Sequence, residues 1–271
     1  MLNNKDTVIK LANVSFGYEP KKQIINNVSF SITKGQHIAI IGPNASGKTT
    51  LAKIIAGLYK PTSGTIYFNN NVINKDNVKD LKQAIGIVFE NPDSQLIGFS
   101  PEDDIAFGLE NKQTSQAEMK KIISEVSNIV GITNLLKLDA KQLSGGQKQK
   151  VAIASILALD PQVIIVDEAT NMLDSSSKQS INSLINLLKN KYSKTIISIS
   201  HEIDDTIHAD KILVLNKGEV FAYDKPQNIY ELDLGSIGLD KPFAYNLSKK
   251  IKGVKPTIFL DKLVKEIKDA K

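Results

Sequence analysis

The sequence contains no cysteine, no tryptophan and no arginine. Without cysteine there is no disulfide and no thiolate metal site, which agrees with a cytoplasmic address. Without arginine all 34 basic residues are lysine. The chain therefore cannot supply an arginine finger, and charge stabilisation must come from lysine, Mg²⁺, backbone dipoles or another subunit. No stretch approaches the ~18 consecutive apolar residues of a membrane-spanning helix. Met1-Leu2-Asn3-Asn4-Lys5-Asp6 has no apolar run, so we expect no secretory signal. The net charge of +5 comes from lysines spread along the chain. That pattern reads as a solvated surface and argues against a nucleic-acid footprint. It also suits work beside an anionic membrane surface.

What the sequence does contain is organised around residues 42–50, Gly42-Pro43-Asn44-Ala45-Ser46-Gly47-Lys48-Thr49-Thr50. They fit G-x-x-x-x-G-K-[ST], the phosphate-binding loop. Glycines at 42 and 47 let the backbone turn tightly, so that successive N–H groups face phosphate oxygens. Lys48 brings a point charge to the β- and γ-phosphates, and the Thr49 hydroxyl is placed to ligate Mg²⁺. Upstream, His37–Ile41 reads as a short buried strand. Downstream, Thr50–Ala56 reads as a helix, so the anion would sit on a helix N-terminus.

The length of 271 residues suits one large domain or two small ones. Val8–Ser15 and Val28–Ile32 alternate apolar and polar residues, as half-exposed antiparallel strands do, with a polar turn around Pro20-Lys21-Lys22 between them. Tyr18, by itself, reads either as a strand-end aromatic or as a ring that stacks on a base. Thr65–Phe68 and Ile85–Phe89 are further strands, and Asn69-Asn70-Asn71 is a tight turn. From Pro101 to Val130 apolar residues recur every three or four positions, which predicts a helical insert.

Leu143-Ser144-Gly145-Gly146-Gln147 opens a helix, either as a second anion-binding nest or as a plain loop. Val163–Val166 predicts a buried parallel strand that delivers Asp167 and Glu168 at its carboxyl end, where open α/β sheets bind ligands. Beside a phosphate loop, Asp167 suits Mg²⁺ and Glu168 suits polarisation of an attacking water. Thr195–Ser200 is the next buried strand, and His201 at its tip is placed to touch a γ-phosphate. His37 and His208 have no such setting and read as structural. Ile212–Leu215 and Val220–Tyr223 flank a hairpin turn. Beyond Ile229, two short amphipathic helices, over 242–251 and 257–267, are too small to form a core alone and must pack on the main domain or on a partner.

With these residues assembled, the chain resembles the nucleotide-binding subunits of ABC transporters over nearly its whole length. The Walker A loop (Gly42–Thr49), signature (Leu143–Gln147), Walker B strand (Val163–Asp167, with Glu168), D-loop (Asn171–Asp174) and switch histidine (His201) fall in the family order. The resemblance implies an α/β P-loop NTPase of ABC type: a RecA-like core, an antiparallel β subdomain and a helical subdomain over about 91–160. It implies an ATPase domain over 1–228 and a C-terminal helical extension, for dimerisation, over 229–271. It gives Tyr18 a place against adenine, and it gives catalysis to Glu168, His201 and Lys48. Nucleotide contact falls to Gly42–Thr50 and to Ser144, Gly145, Gly146 and Gln147, the last four reaching a γ-phosphate held by a second subunit. Thr49, Glu90 and Asp167 become the metal ligands and Asp174 the dimer D-loop residue.

Within that superfamily, 88–110 and Gly238-Leu239-Asp240-Lys241-Pro242-Phe243 resemble the ATP-binding A component of energy-coupling factor (ECF) transporters, closer to the first of its two types. The resemblance implies ATP and Mg²⁺ as cofactors and a place on the cytoplasmic side of the cell membrane as a peripheral subunit. It implies a second, related ATPase subunit in a heterodimer or a homodimer, a transmembrane T component, and separate membrane S components that capture vitamins or metal ions. The neighbouring readings are an ATPase of an ordinary ABC importer and a soluble ABC ATPase acting on nucleic acid or ribosomes. The latter would need a coiled-coil insert or tandem cassettes, and neither is present. Three positions depart from the family pattern: Glu90 stands where glutamine is usual, Asn171 where serine is usual, and Lys150 where arginine is common. Glu90 can still ligate a metal but adds a charge beside the phosphates, and Lys150 keeps the charge without the bidentate fork.

Overall fold

The computed structural model describes residues 6–19 and 22–269. Residues 1–5 and the turn expected around Pro20 and Lys21 lie outside the described residues. In chain order the first elements are β1 (Thr7–Glu19), β2 (Lys22–Thr33), β3 (His37–Ile41), α1 (Lys48–Ile55), β4 (Ser63–Phe68) and β5 (Asn71–Val72). Then come α2 (Val78–Ala84), β6 (Ile85–Val88), α3 (Pro101–Asn111), α4 (Gln116–Val130), α5 (Gly145–Leu157) and β7 (Val163–Asp167). The chain continues with α6 (Ser175–Tyr192), β8 (Thr195–Ile199), β9 (Lys211–Asn216), β10 (Glu219–Asp224), α7 (Pro226–Glu231), α8 (Phe243–Ser248) and α9 (Leu260–Asp269). These elements form two compact units.

The first unit holds Met1–Ile54, Tyr59–Val72 and Ser198–Lys271. Its antiparallel sheet runs in the order β2-β1-β4-β5. The simple alternation expected of β1 is broken, because Val8 and Ile9 are both buried and so are Val14, Ser15 and Phe16. The cause is a set of register shifts against β2 on either side of Val14; each bulge turns successive side chains to one face. Asn69 and Asn70, at φ +47° and +65°, make the two-residue turn between β4 and β5. In the same unit β3 pairs parallel with β9, and β9 antiparallel with β10. Ala39 and Ile41 of β3 and Ile212 and Val214 of β9 are buried in one apolar cluster with Ile229, Tyr230, Tyr245 and Ile258.

The C-terminal segment therefore contributes to this unit's core, one of the two fates its amphipathic pattern allowed. The Lys241 and Lys249 ammonium groups lie 5.1 and 4.9 Å from the Tyr245 ring centre, within cation–π range. The Phe243 N–H donates to Asp204 Oδ1 at 3.2 Å. Phe243, Leu260 and Val264 remain exposed.

The second unit holds Ile55–Leu58 and Ile73–Ile197. Here β6 pairs parallel with β7, Ile85 facing Val163 through to Val88 facing Val166. One apolar cluster joins Ile105 and Leu109 of α3, Ile123 and Val126 of α4, Val151 and Ile153 of α5, Ile164 of β7 and Ile181 and Leu184 of α6. At ~1.5–3 kcal/mol for each large aliphatic side chain buried, this cluster dominates the unit's stability. Helix α2 has no counterpart in the periodicity, because its one buried residue, Leu81, makes no pattern.

Candidate nucleotide site

In the first unit β3, buried at all five residues, ends directly in the glycine loop. A Cβ on Gly42 would stand 2.1 Å from the Leu215 carbonyl oxygen, so no other residue fits there. Ala45 and Gly47 have φ +61° and +101°, and a Cβ on Gly47 would meet Ile25 Cδ1 at 2.8 Å. The Leu51 N–H donates to Gly47 O at 2.8 Å and begins the helical ladder. The amides of the first helical turn precede it, at the positive end of α1. The buried Lys48 ammonium donates to Gly42 O at 2.9 Å and Pro43 O at 3.1 Å, bridging the loop from within. Ser46 is buried, while Asn44, Ala45 and Thr49 are exposed.

Tyr18 belongs to the same unit, near the end of β1, and is 59% exposed. It stands edge-on to Phe16 and to Tyr59, at 5.1 and 5.6 Å, while Phe16 and Tyr59 stack on each other at 5.2 Å. Its hydroxyl lies 3.3 Å from Thr50 Oγ1, which ties it to the end of the phosphate loop. His201 is exposed two residues beyond β8. It is bracketed by a local turn in which Ser200 Oγ accepts the Glu202 N–H at 3.0 Å. His37 is structural: it is buried, its Nε2 is 2.8 Å from Ser198 Oγ, and its N–H donates to Asp210 Oδ2 at 2.7 Å.

In the second unit β7 is buried at all five residues and ends in Asp167, itself buried. The next residue, Glu168, has φ +55°, a left-handed conformation on a side chain that ordinarily avoids it. The Asn171 N–H donates to Glu168 O at 3.1 Å, and Asn171 Nδ2 donates to Glu168 Oε2 at 2.9 Å.

Ser144 caps α5 in a reciprocal box: Ser144 Oγ accepts the Gln147 N–H at 3.3 Å, and Gln147 Oε1 accepts the Ser144 N–H at 2.8 Å. Ser144 and Gly145 are exposed at this helix start, and Gly146 is buried. A Cβ on Gly146 would come 2.4 Å from Ser177 Oγ, whereas one on Gly145 would make only an ordinary 3.5 Å contact with Leu173. Ser177 Oγ in turn donates to Asp174 Oδ2 at 2.7 Å, and Asp174 caps α6. Hydrogen bonds from the Ser176 hydroxyl, and then from the Ser177 N–H and hydroxyl, hold the exposed Asp174 carboxyl well below the usual carboxylate range.

Glu90 follows β6 in a segment held from three sides. Gln95 accepts the Phe89 N–H at 3.3 Å and donates to Ile87 O at 3.0 Å. Gln149 donates to Phe89 O at 3.0 Å, and Lys148 reaches Asp93 at 2.6 Å. Sequence reasoning missed what these side chains hold: the partners of Lys148 and Gln149 lie 55 and 60 residues away, and those of Gln95 are nearby backbone groups to which no periodicity points. In the same unit a groove of about 600 Å³ is lined by residues that include Gly86, Leu96, Asp104, Phe107, Ser155 and Ile156. Ile97, Phe99 and Phe107 are exposed, at 63%, 91% and 50%. Among the described residues no helix is long and apolar enough to cross a membrane.

Residues 25–171 match the ABC transporter family. The energy-coupling factor transporter ATP-binding protein EcfA1 of Mycoplasma mobile is 47% identical over 268 residues, 98% of this chain and 98% of the relative. EcfA1 of Mycoplasmoides gallisepticum is 44% identical over 252 residues, 92% of this chain and 90% of the relative. Among solved structures, CbiO1 of Clostridium perfringens, part of the ABC transporter complex CbiONQ, superimposes with a TM-score of 0.79 at 32% identity, covering 83% of this chain and 91% of that one. A dimeric ATP-binding cassette in a post-hydrolysis state, bound to ADP and phosphate, gives a TM-score of 0.71 at 31% identity, covering 80% and 98%.

Proposed function

This chain belongs to the ABC transporter ATPases, in the branch of energy-coupling factor ATP-binding proteins, and from that premise we propose that it is the ATP-hydrolysing subunit of an ECF importer. The observation that carries the reading is the loop of Gly42–Thr49. Gly42, with no room for a Cβ, and Gly47, at φ +101°, join the helix start and the bridged lysine in a cradle for a polyphosphate. Tyr18 offers an exposed ring for the base, and Thr50 continues the cradle. The candidate metal ligands Thr49, Glu90 and Asp167 are all oxygen donors, which fits Mg²⁺ and not a soft metal. Bound with ATP, Mg²⁺ would neutralise charge across the β- and γ-phosphates.

Glu168 draws a proton from the attacking water, His201 donates a hydrogen bond to the γ-phosphate, and Lys48 stabilises charge on the β- and γ-oxygens. Ser144, Gly145, Gly146 and Gln147 present the positive end of α5 to the γ-phosphate of a second, related subunit, and Asp174 shapes the D-loop between the subunits. The ATPase domain spans 1–228, with its helical subdomain over about 91–160. The extension at 229–271 supports dimerisation through the exposed Phe243, Leu260 and Val264. The groove bounded by Phe107 and Ile156 receives the membrane T component, and S components select the vitamin or metal ion. This makes the chain a peripheral subunit on the cytoplasmic side of the membrane.

The test is an affinity pull-down from detergent-solubilised membranes, with the co-purifying chains identified by mass. The expected set is a second related ATPase, one T-like protein and several small membrane proteins. Two copies of this chain with one dedicated permease would replace the reading by an ordinary importer. Recovery without a membrane subunit, together with salt-sensitive nucleic-acid binding, would replace it by a soluble ATPase.

A further inference from the structure

We propose that Asn171 is a positioning residue for hydrolysis, acting through Glu168; the inference rests on the reading of Glu168 as the base. Two bonds run from Asn171 to Glu168: its N–H to the Glu168 carbonyl at 3.1 Å and its side-chain amide to Oε2 at 2.9 Å. The first closes the turn that follows β7. The second reaches past the backbone and holds one oxygen of the carboxylate.

A glutamate has three side-chain torsions, and one at φ +55° starts from a backbone that no helix or strand stabilises. Fixing one oxygen to a donor three residues along the same turn removes that freedom and sets the direction of the other oxygen. Proton abstraction requires the accepting atom within hydrogen-bond reach of the water, and a displacement of ~1 Å can cost ~100-fold in rate. The bond is charge-assisted, which places it among the stronger hydrogen bonds of a protein.

Asparagine is also what makes the contact reach. Its Nδ2 sits one bond farther from the backbone than a serine hydroxyl, the group the ABC pattern leads one to expect at 171. This chain thus carries a longer donor at a position where the turn brings a side chain back onto Glu168. Asn171 touches neither water nor phosphate in this scheme; its effect passes entirely through the carboxylate it holds.

The experiment measures kcat and KM for ATP on the full chain, purified with its co-purifying subunits, as the parent, N171A, N171D, E168Q and the double variant E168Q/N171A. N171D matches asparagine in shape but offers an acceptor in place of the donor, so it removes the bond without leaving a hole. The expected result is a fall in kcat of about tenfold in N171A and at least that in N171D, at unchanged KM and thermal midpoint. In the E168Q background N171A should change nothing further, because its route of action is already gone. A kcat within twofold of the parent for both N171A and N171D overturns the proposal while leaving Glu168 in its role. So does the same factor lost in both backgrounds, which would mean that Asn171 acts elsewhere. Unchanged turnover in E168Q overturns the reading of Glu168 itself, and this inference with it.

Discussion

Two buried strands, β3 and β7, each run straight into a turn that calls for a left-handed residue, and they meet that demand in opposite ways. After β3 the left-handed residues are Ala45 at φ +61° and Gly47 at φ +101°, and the turn opens on Gly42, where a neighbouring carbonyl leaves no room for a Cβ. After β7 the residue at φ +55° is a glutamate. Where the backbone itself is the binding group, a long side chain would only block it, and nothing larger than a methyl is used at those two positions. Where the side chain is the working group, the backbone accepts strain of ~1 kcal/mol to present it.

The sharpest way to break this comparison is to remove the working group. Glu168→Gln keeps the shape, and ATP turnover should fall about 100-fold or more while ATP binding persists, measured by phosphate release and nucleotide retention. Next comes the backbone. Gly42→Ala must displace the Leu215 carbonyl and should abolish nucleotide binding and lower the thermal midpoint. Gly145→Ala, with only a 3.5 Å contact, should leave the midpoint unchanged, and equal midpoints for the two would show that steric exclusion is not what Gly42 is for. Glu168→Gly sharpens the strain argument. It relieves about 1 kcal/mol of left-handed cost and gives up the bond from Asn171. Its thermal midpoint should equal or slightly exceed the parent's, in an inactive protein, and a clear drop would mean that no strain is stored there.

The smallest effect concerns Asp174, whose carboxyl is held below its usual range by the hydroxyl and amide donors of Ser176 and Ser177. A depressed folded value stabilises the protein above the unfolded value and ceases to do so as the pH falls through the folded one. The midpoint difference between the parent and Asp174→Ala should therefore be fully present at neutral pH and shrink as the pH drops below ~4. A difference that grows in acid would contradict the cause assigned to it.

Much of the candidate site was legible because it is local. Gly42–Thr50, Leu143–Gln147 and Val163–Glu168 are each marked within a few residues by a glycine turn, a helix start or a buried strand, and the structure has a strand or a helix start at each. Glu90's surroundings were not legible. The side chains that hold that segment include Lys148 and Gln149, which follow the Leu143–Gln147 signature on α5 and were assigned no role. Nor was the reason for Gly146 visible, since it is Ser177, 31 positions on by their numbers, that excludes a Cβ there.

By itself the sequence determined the cradle, the buried strands and the order of the motifs, because periodicity, glycine and capping act over a few residues and need no partner to be read. Only the tertiary structure decided which side of its amphipathic pattern the C-terminal segment would satisfy. It buried Tyr245 and Ile258 against β3 and β9 while leaving Phe243, Leu260 and Val264 outside. It likewise decided that Gln149 would reach the Phe89 carbonyl, 60 residues away. Apolar burial is non-directional and a hydrogen bond needs its partner within ~3 Å, so both outcomes depend on where the chain has already gone.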